Sequence, residues 1–307
     1  TDQDYLVIGH RKGLSTFDGS SFRNIKAVGD TSSIGEVLSI NKRNDGSMLI
    51  GTGNGYIFEY FNGELIHLKD TLPSGIVSIL RNTRDKEELF LTRNMEVLIR
   101  TETESKLAKA PVIEILLSSA EYVLDDRFLV GTNEGLFTAT INLKKGFRLN
   151  DPVAGIPNNK ITALLHEPEL NQTWVATENE GLFQIENIFT EHQTQKRVGL
   201  EYKNALSGIN RILRDRFGSL WLSTFGKGLH RLDNWTGLQD DFILTTFNTS
   251  NGSIANDLVK DIYQDTEGSL WVGTFGNGLT QIVESVFYEP YDPTFLEKHE
   301  VKCIQHD

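Results

Sequence analysis

Ser269-Leu-Trp-Val-Gly-Thr-Phe-Gly-Asn-Gly278-Leu279 decides the fold, because Ser219-Leu-Trp-Leu-Ser-Thr-Phe-Gly-Lys-Gly228-Leu229 nearly duplicates it fifty residues earlier. Weaker copies stand at Ser47 to Tyr56 and Arg127 to Leu136. A fifth runs through Thr173-Trp-Val-Ala-Thr177 to Leu182, a sixth through Tyr5-Leu-Val-Ile-Gly9-His10 to Leu14, and a degenerate seventh through Glu88-Leu-Phe-Leu-Thr92 to Val97. The residue before each Thr or His falls at 9, 51, 91, 131, 176, 223 and 273, so the steps are 42, 40, 40, 45, 47 and 50. A regular period of this length signals an array of like supersecondary units and takes precedence over any residue-level reading.

Each unit reads as short strands. Val259 to Tyr263 is an apolar run, Asp265-Thr-Glu-Gly268 a turn, Leu270 to Val272 a second run, and Leu279 to Val283 a third after a glycine turn. Alternation in Val37 to Ile40 and in Ile209 to Ile212 suits half-buried strands, and helical periodicity is nowhere sustained. About four strands per 40 to 50 residues, repeated seven times, predicts an all-β, seven-bladed β-propeller of four-stranded blades. The blades are placed at 300–307 plus 1–30, 34–68, 75–107, 111–149, 157–205, 206–249 and 250–293, making residues 1–307 one propeller.

The two ends bear on closure. The chain begins with the second strand of a blade, Tyr5 to Ile8, and His299 to Asp307 reads as an isolated first strand. Joining them gives a step of 43, within the range of the other six. The ring is therefore expected to close with the C-terminal strand innermost in a blade whose outer strands are N-terminal, which removes an open sheet edge. The start without Met, in mid-pattern, reads as a processed protein or a fragment.

Composition narrows the function classes. Thirty basic against 42 acidic residues leave a net charge of −12, which disfavours nucleic acid and anionic membrane surfaces and favours neutral, peptidic or cationic partners. One cysteine, Cys303, allows neither an intrachain disulfide nor a cysteine-based metal cage. No apolar run approaches the roughly 20 residues that span a bilayer, and no signal peptide is visible. The seven histidines show no metal-site spacing, so neither metal nor cofactor is expected. No nucleophile elbow is present, and Gly51-Thr-Gly-Asn-Gly55 lacks the lysine of a phosphate loop. Asp125-Asp126 and Asp240-Asp241 lie in no calcium-loop pattern and read as solvated charge.

The pattern apolar-x-x-Ile-x-x-Asp-x-x-Gly-x-Leu-Trp-apolar-Gly-Thr-x-x-x-Gly-Leu, best seen at Val259 to Leu279 and at Ile209 to Leu229, resembles the two-component regulator propeller repeat. The likeness is strong in blades six and seven, fair in two, four and five, and poor in three, where Glu96 stands for the turn glycine. It implies the periplasmic sensor region of an inner-membrane hybrid histidine kinase or a propeller-linked cyclase. In such receptors two propellers are often joined in series, followed by a β-sandwich, a membrane span and output domains. A glycan fragment or similar solute is the implied ligand, and this chain is itself no enzyme. A protein-interaction scaffold, docking a second propeller or a second copy of the chain, is the alternative. A propeller lyase or hydrolase is a third, because fold does not determine function.

The site residues follow from where turns gather. Turns between second and third strands share a face with the connections from fourth to first strands. That face carries Arg11, Lys12, Arg93, Phe225, Lys227, Phe275 and Asn277 from the turns, and Asn159, Asn210 and Asn256 from the connections. Amides and charges capture hydroxyls and aromatic rings stack on apolar faces, although Asn and Gly also serve turn geometry. Phe225 and Phe275 stand apart, since no turn requires Phe. Trp174, Trp221 and Trp271 occupy one repeat position and are expected between blades, with Trp235 exposed in a loop.

Overall fold

The computed structural model describes residues 5–29, 34–82, 86–110, 114–233, 235, 242–283, 286–288 and 301–306. Seven four-stranded antiparallel sheets make the protein a seven-bladed β-propeller. The chain divides into two compact units, Leu72–Ile209 and a second formed by Thr1–Thr71 with Asn210–Asp307.

The two-segment unit holds four blades. Strands β1 (Leu6–His10), β2 (Gly13–Phe17) and β3 (Phe22–Ile25) belong to the first, and β4 (Val37–Lys42), β5 (Met48–Thr52), β6 (Tyr56–Phe61) and β7 (Glu64–Thr71) form the second. Leu72–Ile209 contains three blades. They are β8 (Ile76–Asn82), β9 (Glu87–Thr92), β10 (Glu96–Arg100) and β11 (Ser105–Lys109); β12 (Leu117–Leu124), β13 (Arg127–Thr132), β14 (Gly135–Asn142) and β15 (Gly146–Pro152); and β16 (Ile161–Glu167), β17 (Gln172–Thr177), β18 (Gly181–Glu186) and β19 (Thr194–Val198). Blades six and seven return to the first unit with β20 (Ile209–Arg214), β21 (Leu220–Thr224), β22 (Leu229–Asp233) and β23 (Ile243–Phe247), then β24 (Val259–Gln264), β25 (Leu270–Thr274), β26 (Leu279–Val283) and β27 (Val286–Tyr288). Strands β7, β11 and β15 run past the expected ends at 68, 107 and 149, to Thr71, Lys109 and Pro152.

The C-terminal strand β28 (Val301–His306) pairs with β1, Leu6 opposite His306 and Ile8 opposite Ile304, and completes the N-terminal blade. Here the expected clasp is observed. A Cβ on Gly9 would collide with the Cys303 sulfur and lie 2.6 Å from Cγ1 of Val37, so glycine lets the blade-two strand approach. Gly131 repeats this, its Cβ position lying 2.6 Å from Cγ2 of Ile161. Close approach, not a left-handed backbone, is thus the reason for the Gly of the Gly-Thr repeat.

Burial lies between adjacent blades. Trp221, Leu229, Phe247, Val259, Ile262, Leu270 and Val272 form one core across blades six and seven, while Leu6, Ile8, Phe17, Trp271 and Leu279 form another across seven and one. Every residue of β1, β2, β5, β21 and β25 is buried, as strands covered on both faces require.

The repeat positions prove to be hydrogen-bonding devices. The indole Nε1 of Trp221 donates to Asp215 Oδ2 at 2.7 Å, while Asp215 Oδ1 accepts from the backbone N–H groups of Phe217 and Ser219. Blade seven repeats the lock with Trp271 and Asp265, also at 2.7 Å, and blade five with Trp174 and Glu167 at 2.6 Å. The threonine closes the following turn: Thr132, Thr177, Thr224 and Thr274 donate their hydroxyls to the carbonyls of Gly135, Gly181, Gly228 and Gly278. His10 stands in for this threonine. Its Nδ1 accepts from the Lys12 N–H, so Nε2 carries the proton and donates to Ser15 Oγ, which donates to Asn24 Oδ1.

Two local expectations need correction. Trp235 is half-buried, not exposed, with its ring 5.7 Å from that of Phe242. In blade three the residue replacing the turn glycine is Met95, with φ 62°, and not Glu96. Glu96 is buried and accepts from the hydroxyls of Thr92 and Ser74.

Candidate functional site

The loop face is built by one recurrent connection. The residue after the repeat's threonine donates its N–H to the carbonyl just before the first strand: Gly53 to Glu36, Arg93 to Gly75, Asn133 to Leu116, Glu178 to Lys160 and Phe275 to Leu258. Second-to-third-strand turns and fourth-to-first connections are therefore stitched edge to edge within a blade.

Blades six and seven add a second set of stitches. Gly226 and Gly228 both donate to the Asp257 carbonyl, at 2.9 and 3.0 Å, and Phe225 forms an antiparallel bridge with Leu258. The Asp257 carboxylate accepts from the backbone N–H and hydroxyl of Thr249 at 2.7 and 2.9 Å. The two turns that carry Phe225 and Phe275 are thus fixed by main-chain bonds. The rings meet edge to face, with centroids 6.2 Å apart. They remain 53% and 41% exposed.

Of the ten residues singled out in sequence, the structure gathers Phe225, Phe275, Asn256 and Asn277 into one ledge. Asn256 Nδ2 donates to the Phe275 carbonyl at 2.7 Å and to Asn277 Oδ1 at 2.8 Å, and its Oδ1 accepts from the Leu258 N–H. Asn210 lies close by, but Nδ2 donates to the Val259 carbonyl and Oδ1 accepts from Ser223 Oγ, so its amide joins blade six to blade seven. Lys227 caps the adjoining turn, its N–H donating to Thr224 Oγ1, and partial desolvation lowers its ammonium pKa. Arg11 and Lys12 are exposed on the β1–β2 turn. Arg93, exposed, and Asn159, half-buried, belong to the other compact unit.

Sequence reasoning missed Lys260. Its Nζ sits 4.5 Å from the Phe225 centroid and 5.9 Å from that of Phe275. The signal was the ladder register: β24 slips against β25 between Val259 and Asp261, leaving Lys260 as an extra residue. A bulge re-aims the side chain it leaves out of the ladder. Behind the ledge, His230 is buried with Nδ1 3.0 Å from Thr246 Oγ1, and burial, with the nearby Lys227 charge, lowers its pKa to about 4.

Among the described residues no three His, Cys, Asp or Glu converge as a metal site. Asp126 accepts from Asn142 Nδ2 and pairs with Lys145, whereas Asp240-Asp241 lies outside the described residues. No helix in the described residues is long and apolar enough to cross a membrane.

Residues 253–276, the segment holding the ledge connection, the Asp265–Trp271 lock and Phe275, match the two-component regulator propeller family. The chain carries that repeat. No curated protein matches it. Among solved structures it is similar to the extracellular domain of BT3049 from B. thetaiotaomicron, assigned to a hybrid two component system, with 16% identity and TM-score 0.58 over 92% of this chain and 45% of that one. PorZ of Porphyromonas gingivalis, a surface component of the type-IX secretion system, aligns with TM-score 0.67 and 15% identity over 92% and 45%. Virginiamycin B lyase from Staphylococcus aureus aligns with TM-score 0.64 and 13% identity over 83% and 84%. The propeller thus spans less than half the length of the first two. At these identities the likeness is one of fold.

Proposed function

We propose that this propeller is the extracytoplasmic ligand-sensing module of a bacterial transmembrane regulator, capturing a glycan fragment or similar solute on the ledge of blades six and seven. The observation that carries the reading is the exposed Phe225–Phe275 pair, held by main-chain bonds in turns that need no aromatic residue. A ledge ordered before binding loses little conformational freedom when a sugar ring stacks on it. The two-component regulator repeat at the same residues, and the fold shared with an extracellular domain assigned to a hybrid two component system, support the regulatory setting.

A binding role also agrees with how the acidic and imidazole groups nearby are employed. Asp215 and Asp265 receive indole N–H groups, Asp257 receives Thr249, and Asp261 pairs with Arg211. His10 and His230 sit buried against hydroxyls. These are structural engagements.

Thermal unfolding with a library of glycan fragments tests the reading. A fragment at a hundredfold excess over its Kd stabilises the native state by about 2.7 kcal/mol, a rise of a few degrees in Tm that the Phe225→Ala/Phe275→Ala double variant loses. No shift with any fragment for a fully folded protein removes the sensor reading. Association that grows with protein concentration in light scattering, and disappears in the same double variant, assigns the ledge to protein docking instead.

A further inference from the structure

Building on that reading of the ledge, we infer that its ligand is an acetamido sugar, a hexose ring stacked on Phe225 and Phe275 with its N-acetyl carbonyl accepting from Asn277 Nδ2. The inference starts from the direction of one amide. Asn256 Oδ1 accepts from the Leu258 N–H at 2.9 Å, a backbone group that can only donate. The other arm of Asn256 is therefore Nδ2, and it donates to the Phe275 carbonyl at 2.7 Å, a group that can only accept. The same Nδ2 lies 2.8 Å from the Asn277 amide, which has to answer with its oxygen. Asn277 Nδ2 is thereby turned away from Asn256, and it has no partner among the described residues.

Blade two carries asparagine at the same turn position, Asn54 standing before Gly55 as Asn277 stands before Gly278. There Oδ1 accepts from the Thr52 hydroxyl at 2.6 Å, so the amide serves its own turn. In blade seven the Thr274 hydroxyl donates to the Gly278 carbonyl, and the Asn277 amide is held from the connection instead. Matching the Gly53–Glu36 bond to the Phe275–Leu258 bond puts the buried Ile34 of blade two where Asn256 stands. Blade seven thus has, in place of an apolar side chain, an amide that grips the Phe275 carbonyl and aims Asn277. Asn277 is exposed, as is Phe275 two residues before it. Ring and donor ride on one turn, tied to each other through a single Asn256 nitrogen.

Phenylalanine rings accept any apolar sugar face and cannot tell one hexose from another. An aimed N–H on the same turn can. A hydroxyl donates and accepts and rotates to suit either, whereas an amide carbonyl only accepts, so it is the better match to a donor oriented before binding. The acetamido methyl adds apolar surface for the rings. A protonated amino group only donates and has nothing to offer Asn277 Nδ2. The expected order is acetamido, hydroxyl, ammonium, with about 3- to 10-fold in affinity between the first two.

Calorimetric titration of the intact chain with gluco- and galacto-configured di- to tetrasaccharides of N-acetylhexosamine, hexose and hexosamine tests this. In one configuration the N-acetylated arm is expected to bind about threefold or more tightly than its hexose counterpart, and that arm names the sugar. Asn277→Ala, at an exposed position, is expected to fold as wild type does and to bring the N-acetylated arm down to the hexose affinity. Asn277→Asp keeps an oxygen for Asn256 and turns a second oxygen outward. In that variant the hexosamine arm is expected to gain and the N-acetylated arm to fall, a reversal that a merely structural change does not produce. N-acetylated and hexose arms of equal affinity, or an N-acetyl preference that survives Asn277→Ala, overturn the inference and leave the sensor reading standing. Absence of binding in every arm overturns both.

Discussion

Blades three and seven solve the same packing problem with different chemistry. In blade seven the start of the second strand is anchored within the blade, where Asp265 gathers the Ser269 N–H and the Trp271 indole. Blade three has Leu89 at the tryptophan position and so no indole to donate. Two of its buried polar groups reach across to blade four: Asn82 Nδ2 donates to the Asp125 carbonyl, and Glu87 Oε1 accepts from the Leu143 N–H. The blade-seven lock is internal, and blade three, without the indole, adds ties to its neighbour. The same contrast holds in the turns, where Gly278 supplies the left-handed backbone in blade seven and the buried Met95 supplies it in blade three.

The strongest way to break this contrast is to remove a lock. Trp221→Ala in blade six, which shares the blade-seven chemistry, empties a buried ring from the core with Phe247 and deprives the buried Asp215 of its indole. It is expected to cost about 4 kcal/mol, read as a fall in the urea midpoint with an unchanged slope. A loss below about 1 kcal/mol would show that the tryptophan merely fills space.

Acid sharpens the contrast next, because blade six buries an imidazole in a central strand. The folded-state pKa of His230 is about 4 against an ordinary 6.5, so the unfolded chain binds its proton first. That stability is complete above pH 6.5, falls as pH drops from 6.5 to 4, and amounts to about 2 kcal/mol lost by pH 5. His166, whose pKa burial also lowers, adds a loss of the same sign. Hydrogen exchange at pH 5 is expected to quicken in β22 before β10, and His230→Gln is expected to flatten the pH dependence. An unchanged slope in that variant would assign the acid response to other groups.

Smallest is the tie of blade three. Glu87→Gln keeps the shape but weakens acceptance from the Leu143 N–H, at an expected cost of about 1 kcal/mol. The matching change in blade seven, Asp265→Asn, disturbs two donors, the Ser269 N–H and the Trp271 indole, and is expected to cost more. Equal costs would erase the distinction between the two kinds of blade.

Seven blades, their strand order and the C-terminal clasp were legible in the sequence because period, alternation and turn residues are local, and a blade is a local object. Phe225 and Phe275 were legible for the opposite reason: they serve no local need. Lys260 was not legible. In sequence it is one polar residue in an alternating strand, and only the register slip against β25 turns it over the two rings. The Asp-to-Trp spacing was visible as a motif, but its meaning required the indole and carboxylate to meet at 2.7 Å. Asn210 and Asn256 read as loop amides open to a ligand, whereas the fold engages them in joining strands and turns. Sequence by itself determined the repeat, because backbone hydrogen bonding and burial act on every blade alike. Tertiary structure decided which side chains are consumed by the fold and which are left to meet a ligand, because that depends on partners many residues apart.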